Sequence, residues 1–372
     1  MTHADSADIE LLKDIVDEMF DEPEEPEEQP RRKVRRISGK TREEATAYGS
    51  PDIEGARSMG VQVRCRNQLR RWGVPPLFLA LIAMVLQATQ GLQSPVNAVE
   101  GFSGVGRIDT AFKEMGYAAH GFDIDHHRCF ESINSDEGFC TLIYWILCLS
   151  PLGLAHFATV CSTWVWVSRS STGRSAVKPE GFDTEAVRSA NCMVERTVLL
   201  LLLCAARGCH FILEQPASSV MEFMPCVQHL KRCIGSSWTC IFTYMGMFGH
   251  DCWKPTHLYS STPKVLALKR KLDKNSDYAN GWSSSKCVKV RCDTRGFIHV
   301  DGAEGLKQSQ EYPKEYGDEV YKLWDEQLKH ETVNDSKVED VPGDTYEKLV
   351  EAAGWKWGNL DGPCAFMHNK DA

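Results

Sequence analysis

The sequence lacks several features that would place it quickly in a functional class. None of its 15 cysteines pair as Cys-x-x-Cys, the spacing typical of zinc ribbons and redox motifs. They are scattered through apolar runs, which favours buried free thiols in a reducing compartment over a disulfide framework. The chain has no internal repeat, and its first 30 residues are acidic, which is unlike a secretory signal peptide. We therefore expect an intracellular protein.

Long hydrophobic runs are also missing. The one membrane candidate is residues 74–90, and its unbroken apolar part runs only from Leu77 to Leu86. A helix that spans a bilayer needs about 20 such residues. We expect residues 73–95 to form an apolar helix that leads into the core, with membrane association through residues 74–90 as the lesser alternative.

Charge is distributed unevenly along the 372 residues, which carry a formal net charge of −9. Residues 1–30 hold twelve acidic residues and one lysine, and the remainder holds 39 acidic and 41 basic residues. An acidic tail on a near-neutral body does not exclude a nucleic-acid partner. Residues 1–72 are predicted to be a disordered extension, acidic and then basic. The basic run at residues 31–36 predicts nuclear import or non-specific phosphate contact, with a solvated linker as the alternative.

From residue 96 to about 260, short apolar strands alternate with helical segments. Strands are predicted at residues 97–102, 118–123, 156–161, 210–215 and 238–245. The alternation predicts an α/β fold with a parallel sheet and helices on both faces. A shorter polar segment follows at residues 265–310, then one more helix at 311–330, and a charged, flexible tail at 331–372.

A glycine turn lies where the first predicted strand passes into a helix. Gly104 and Gly106 allow a tight turn and a close approach to a ligand, and the helix N-terminus adds partial positive charge. A dinucleotide fingerprint needs a third glycine at the position of Asp109, so NAD fits badly. Asp123, at the end of the second strand, can accept hydrogen bonds from ribose hydroxyls. The pattern favours S-adenosylmethionine, and the alternative is a tight turn of the kind found in any α/β protein.

These motifs and their order resemble DNA (cytosine-5) methyltransferases, including the bacteriophage-type members. "EGFSGVGRIDTAFKEMGY" with "GFDID" is similar to the cofactor-binding start of that family, and "HFATVCSTWVWVSRSSTGR" to the strand end that carries the nucleophilic cysteine. "HFILEQPASS" resembles the Glu-Asn-Val or Glu-Asn-Pro motif, and "MFGHDCWKPTHLYSS" the Gly-His-x-x-x-Lys-Pro-Thr stretch. "YPKEYGDEVYKL" resembles the closing helix. The resemblance covers about residues 97–325.

The resemblance implies a Rossmann-like methyltransferase sheet and S-adenosyl-L-methionine as cofactor. Residues 96–264 would be the catalytic core, 265–310 a short inserted segment that faces the substrate, and 311–330 a closing helix packed on the core. The cofactor-binding residues it implies are Phe102, Ser103, Gly104, Gly106, Asp123, Ile124, Gly317 and Asp318. No metal is implied.

The resemblance also assigns the chemistry. Cys161 would attack carbon 6 of cytosine as a thiolate, and its pKa should be lowered, with Arg169 and Arg174 as candidate cations. Glu214 would contact the ring N3 and the exocyclic amine of the base. Lys254 and Thr256 would contact phosphate or the flipped nucleotide.

The sequence departs from the family pattern at several points. Thr159 and Val160 precede the cysteine where the family has proline, and Asp318 replaces an asparagine. Ser132 stands where relatives tend to have an aspartate, with Glu131 and Asp136 as candidate substitutes. Nucleic acid is the expected partner, with DNA favoured over RNA. The open alternatives are a methyltransferase on RNA or another substrate, and a catalytically silent Rossmann-like binding module. The sequence does not indicate an oligomeric state.

Overall fold

The computed structural model of this protein describes residues 64–89, 94–127, 132–273, 275, 288–292, 294, 298–302 and 310–331. The basic run at residues 31–36 and the charged tail after residue 331 lie outside the described residues. The predicted boundary of the extension at residue 72 is wrong, because residues 64–71 form a helix, α1. Cys65 and Leu69 are buried in the core, since residues four apart share one face of a helix.

Within the described residues, eight further α-helices follow α1. They are α2 (Pro76–Ala88), α3 (Arg107–Glu114), α4 (Ile124–His127), α5 (Asp136–Cys148), α6 (Arg169–Thr172), α7 (Glu185–Ala206), α8 (Pro225–Ile234) and α9 (Lys314–Leu323). Short 3-10 helices lie at Trp166–Ser168, Met221–Phe223, Gly235–Ser237, Met245–Phe248 and Pro263–Leu268, and a π-helical turn, Trp324–Leu328, extends α9. Ser135 caps α5 and Thr184 caps α7 through side-chain oxygens that accept from backbone amides.

The strands form one large sheet and one hairpin. They are β1 (Val96–Gly101), β2 (Ala119–Phe122), β3 (Leu149–Phe157), β4 (His210–Pro216), β5 (Thr239–Tyr244), β6 (Pro255–Ser260), β7 (Val288–Cys292) and β8 (Ile298–Gly302). The sheet order is β2-β1-β3-β4-β6-β5, and β7 pairs with β8. The hairpin falls in the predicted inserted segment.

The prediction of an α/β fold is confirmed, but the expectation of an all-parallel sheet is wrong. Strands β1 to β4 pair in parallel, whereas β6 runs antiparallel to both β4 and β5. The reason lies in the connection between β5 and β6, which spans only residues 245–254 and holds one 3-10 turn. A parallel crossover needs a dozen or more residues, usually with a helix, so this shorter connection returns the chain in the opposite direction.

Side chains alternate between the two faces of the sheet and divide the core in two. On β4, Phe211 and Leu213 belong to the cluster that packs against α2, α5, α7 and α8. Ile212 belongs to the other cluster, which packs against α3 and α9. Helices therefore cover both faces, as predicted. Val265 and Leu268, at the start of the predicted inserted segment, are buried in the second cluster, so the core extends into that segment.

Two apolar helices bear on the membrane alternative. Within the described residues, α7 is long and apolar enough to cross a bilayer, but 72% of its apolar window is buried inside the protein. Helix α2, which contains the predicted candidate, is shorter than a spanning helix and buries Phe78, Ile82 and Val85. Both are explained as helices that pack on the sheet.

Candidate functional site

One edge of the sheet gathers most of the predicted site residues. The turn from Phe102 to Gly106 follows β1, Asp123 follows β2, and Cys161 lies four residues beyond β3. Glu214 is near the carboxyl end of β4. Because β6 is antiparallel, its first residues meet the same edge, and Lys254 immediately precedes them. The chain also reverses order here, since β2 and β3 lie on opposite sides of β1. Such a switch point opens a crevice at the carboxyl ends of the strands.

The glycine turn has the backbone conformation that its sequence predicts. Gly104 and Gly106 adopt φ values of 52° and 68°, and Phe102 also has a positive φ of 61°. A Cβ atom on Gly106 would lie 2.5 Å from a carboxylate oxygen of Asp109, whereas a Cβ on Gly104 would meet nothing within 4 Å. Gly106 is therefore required for packing, and Gly104 faces open space.

Asp123 is joined directly to this turn. Its Oδ2 accepts a hydrogen bond from the Gly104 amide at 2.8 Å, and its Oδ1 accepts one from the Asp125 amide at 3.0 Å. The carboxylate thus joins the glycine turn to the start of α4. Ile124 follows with 55% of its surface exposed. The edge thus offers an acceptor for hydroxyl groups beside an exposed apolar side chain.

The turn also contains a polar atom that the protein leaves unsatisfied. Ser103 is buried, and its hydroxyl has no hydrogen-bond partner among the described residues. The open space at Gly104 and the carboxylate of Asp123 would suit a ligand that has a ribose and a polar chain, whereas the Ser103 hydroxyl is enclosed by the protein. S-adenosyl-L-methionine has those groups. Phe102, Ser103, Gly104, Gly106, Asp123 and Ile124 are the residues that would hold it.

Glu100 was not predicted from the sequence, and it stabilises the start of the helix that follows the glycine turn. Its Oε2 accepts hydrogen bonds from the amides of Ile108 and Asp109, at 3.0 and 2.9 Å. The carboxylate therefore caps the N-terminus of α3. Burial raises its pKa to about 8, against the lowering effect of those amides. The sequence feature that could have identified Glu100 is an acidic residue at the end of a strand, just before a glycine turn.

Cys161 lies in a short loop that is fixed at both ends. Its carbonyl accepts a hydrogen bond from the Trp164 amide at 2.8 Å. Before it, the carbonyl of Thr159 accepts one from Nε2 of Gln215 at 2.6 Å, and Ser219 donates to Oε1 of the same glutamine at 2.9 Å. Gln215 is fully buried. It therefore ties the cysteine loop to the end of β4, a role that sequence reasoning missed.

The pKa of Cys161 differs from the expectation. Burial raises it to about 11, the charge of Glu214 raises it further, and Lys254 lowers it. The predicted lowering by Arg169 or Arg174 is therefore wrong for this structure, in which Lys254 is the cation that acts on the sulfur.

Arg174 has a different position from the one predicted. Its guanidinium lies over the Trp164 ring, 3.4 Å from the centroid. It donates to the carbonyls of Pro179 and Val187 and to the hydroxyl of Thr163. Burial lowers its pKa to about 10. These contacts make Arg174 a structural anchor of the cysteine loop.

The buried Glu214 and Tyr312 lie beside Cys161, together with the half-buried Lys254. Glu214 is buried, and burial raises its pKa while Lys254 and the Tyr312 hydroxyl lower it. Lys254 donates from Nζ to the carbonyl of Gln310 at 3.4 Å and lies over the Tyr312 ring, 4.9 Å from its centroid. Tyr312 was not predicted as a site residue, because the sequence gives no sign that it approaches β4.

The remaining predicted residues make contacts within the protein. Thr256 is fully buried, and its hydroxyl donates to the carbonyl of Lys254, so the predicted contact with a nucleotide is wrong. Gly317 packs α9 against the carbonyl of Arg107 on α3. Asp318 pairs with Lys314 at 3.2 Å.

Glu131 and Asp136, near the start of α5, were the candidate substitutes for the aspartate that relatives have at the position of Ser132. Asp136 forms an ion pair with Arg196 at 2.8 Å, and Glu131 lies outside the described residues. All twelve cysteines in the described part of the chain are free thiols. In the same part, no group of three or more His, Cys, Asp or Glu side chains could hold a metal ion.

Comparison of the chain with models of known protein families finds no match, and comparison with curated proteins finds none either.

Proposed function

We propose that this protein is an S-adenosylmethionine-dependent methyltransferase with a Rossmann-like fold that acts on carbon 5 of cytosine in nucleic acid. The observation that carries the proposal is the meeting of two groups of residues at one sheet edge. Gly104 and its hydrogen-bond partner Asp123 lie on one side of the switch point. Cys161, Glu214 and Lys254 lie on the other side.

The strand arrangement supports the Rossmann-like assignment. Four parallel strands in the order β2-β1-β3-β4 place β1 between β2 and β3, so the chain switches sides around β1. In open α/β sheets, ligands bind in the crevice at such a point. The cofactor, when bound, would supply an electrophilic methyl group on a sulfonium.

The protein's own residues then account for the activation of the base. The Cys161 thiolate adds to carbon 6, the Sγ–C6 bond forms, and the electron pair makes carbon 5 nucleophilic. Glu214, whose pKa burial raises, would donate a proton to N3 as charge develops there. Lys254 stabilises the thiolate. After methyl transfer, loss of the carbon-5 proton and expulsion of the thiolate restore the aromatic ring and the enzyme.

The experiment is covalent trapping. A nucleic acid that carries 5-fluorocytosine has no carbon-5 proton to lose, so the Sγ–C6 bond should persist after methyl transfer. We expect wild-type protein with cofactor to give a complex that survives denaturation. Cys161→Ser should give none, because a serine hydroxyl ionises far less readily. Cys240→Ser, which changes an exposed thiol on β5, is the matched control and should trap normally.

Single-stranded DNA, duplex DNA and RNA are tested in parallel, so that the same experiment separates the DNA and RNA readings. Glu214→Gln should slow trapping while cofactor affinity, measured by calorimetry, stays nearly unchanged. A wild-type protein that binds the cofactor but traps none of the three substrates would contradict the cytosine-5 mechanism.

A second candidate is a catalytically silent binding module with the same fold. It is favoured by the raised pKa of Cys161, about 11 because of burial and Glu214, and by Thr159 and Val160 in place of proline. In that case cofactor binding should remain and trapping should be absent with all three substrates.

A further inference from the structure

An exposed tryptophan lies five residues after Cys161 in the same loop. Trp166 has 44% of its surface exposed, and the neighbouring Val167 is exposed as well. Val160, immediately before the cysteine, is also exposed. Exposed apolar side chains that are grouped in this way are typical of a surface that meets a ligand. Here they lie on both sides of the predicted nucleophile.

The loop holds the tryptophan in a fixed position. The carbonyl of Cys161 accepts hydrogen bonds from the amides of Trp164 and Val165, at 2.8 and 3.3 Å. Trp164 is fully buried, and its ring packs against the guanidinium of Arg174. The 3-10 turn that begins at Trp166 follows directly. The indole is therefore attached one residue beyond a backbone contact with the cysteine, on a segment that is ordered before any ligand binds.

The loop has little charge with which to bind a phosphate backbone. Between residues 160 and 171 the only charged side chain is that of Arg169, and it is half-buried. From residue 31 onward the chain holds 39 acidic and 41 basic residues. Binding to duplex DNA depends largely on cations that replace counterions at the phosphates. Stacking of a base on an aromatic ring does not depend on an excess of cations, and it contributes strongly to the binding of single strands.

An indole ring can stack only on a base whose face is open. In a duplex each base is covered by the bases above and below it, and exposing a face costs unstacking energy. A single strand offers open faces at a lower cost. The exposed ring of Trp166 and the low charge of its loop therefore both fit an unpaired strand better than a duplex.

We propose that Trp166 stacks on an unpaired base next to the target cytosine, and that the preferred substrate is single-stranded nucleic acid. The proposal rests on the function proposed above, in which Cys161 attacks cytosine, and it names the form of the nucleic acid. Trp166 binds the strand and takes no part in bond formation.

The test measures binding without the covalent step. All proteins carry Cys161→Ser, and the probe is a short, fluorescently labelled single strand of dT with one central dC. Anisotropy in the presence of S-adenosylmethionine gives the Kd. We expect Trp166→Ala to weaken binding about fivefold to a hundredfold, which is the effect of losing one base–aromatic stack. Trp166→Phe keeps an aromatic face and should recover most of the affinity.

Met115→Ala is the matched control. It removes another exposed apolar side chain, at the end of α3 that lies away from the glycine turn. This variant should bind the probe as tightly as the protein with Cys161→Ser alone. The melting temperature checks that each variant remains folded.

Two further measurements separate stacking from an indirect effect on the loop. Abasic sites in place of the thymines next to dC should weaken the binding of the protein that retains Trp166. They should change the binding of Trp166→Ala little, because the stack is already lost. The dependence of Kd on salt should be the same in both proteins, since stacking releases no counterions.

Equal binding of the single strand by Trp166→Ala and the protein that retains Trp166 would overturn the proposal, as would no measurable binding by either. Tighter binding to the matching duplex than to the single strand would also overturn it, because the indole would then act on paired DNA, for example as a wedge between base steps. Failure of the proposed function has a different signature. Binding to single strands would still depend on Trp166, but wild-type protein would not be trapped by 5-fluorocytosine.

Discussion

The amide of Gly104 donates to Oδ2 of Asp123 at 2.8 Å, so the turn after β1 and the acid after β2 form one structural unit. The conformation of the turn and the position of the acid depend on each other. A ligand held by one of these residues is therefore placed with respect to the other.

We predict that Asp123→Ala weakens the binding of S-adenosylmethionine by about tenfold to hundredfold. Hydrogen bonds to a charged acceptor contribute roughly 1.5–3 kcal/mol, and the substitution also releases the Gly104 amide. Calorimetry measures the affinity directly. Asp125→Ala is the matched control, because the backbone amide of Asp125 still donates to position 123. Equal affinities for the two variants would show that the Asp123 side chain does not bind the cofactor.

Gly317 gives a prediction that separates packing from ligand binding. An alanine Cβ at this position would collide with the backbone carbonyl of Arg107, and backbone atoms cannot move aside cheaply. We expect Gly317→Ala to destabilise the protein by roughly 1–3 kcal/mol, measured by thermal unfolding without cofactor. Asp318→Asn removes only an ion pair with the exposed Lys314, so little change in stability is expected. A Gly317→Ala protein with normal stability but poor cofactor affinity would restore the ligand role that the resemblance implies.

Local sequence patterns account for the parts of the fold that depend on nearby residues. Strands β1, β2, β4 and β5 and the glycine turn could be predicted, because apolar runs and glycines signal them within a few residues. Strand β6 could not, since Pro255–Ser260 begins with a proline and is half polar, and it becomes a strand by pairing with β4 and β5. The position of Lys254 at the carboxyl end of the parallel strands depends on strand β6.

The contacts within the candidate site show the same limit. Cys161 and Glu214 could be named from motif order, but the residues that shift their pKa values could not. The charge of Lys254 lowers the pKa of Cys161 because the antiparallel strand β6 brings it to the same end of the sheet. Tyr312 lowers the pKa of Glu214 because the packing of α9 places it beside β4. Neither contact leaves a periodic signal in the sequence. Arg174 was named as a candidate cation for Cys161, and in the structure it contacts Trp164 and α7 instead.

Gln215 is predicted to control the exposure of Cys161. Gln215→Leu keeps the volume but removes the donor to the Thr159 carbonyl, which then remains buried without its partner at a cost of about 1–3 kcal/mol. We expect a lower melting temperature and severalfold faster alkylation of Cys161. Ser219→Ala removes the other hydrogen bond of Gln215 and leaves the one to Thr159 intact. Similar alkylation rates in the two variants would mean that the Thr159 bond does not hold the loop.

The buried carboxyl groups predict how stability depends on pH. Burial raises the pKa of Glu195 on α7 from 4.5 to about 8, and that of Glu100 to about 8 as well. Between pH 6.5 and 8 both groups are ionised in the unfolded chain and protonated in the folded protein. Unfolding therefore releases protons, and the free energy of unfolding should fall as pH rises, by up to about 1.4 kcal/mol per pH unit for each group. The buried histidines His156 and His210 have pKa values lowered by burial to about 3 and about 4, so they are neutral in the folded protein throughout this window. They oppose the fall only near pH 6.5, where the unfolded chain still holds part of their protons.

Glu195→Gln isolates one of these two contributions. Glutamine has nearly the same shape as glutamate and does not ionise. The variant should therefore lose about half of the dependence of the free energy of unfolding on pH between pH 6.5 and 8. Its stability relative to wild type should therefore increase steadily across that range, as measured by urea unfolding at several pH values. Below the ordinary pKa of a glutamate, the carboxyl group is protonated in both states, and the difference between the two proteins should be constant there. Parallel pH dependence of wild type and variant from pH 6.5 to 8 would show that Glu195 is ionised in the folded protein, and the buried acid would then need a cation that neutralises it.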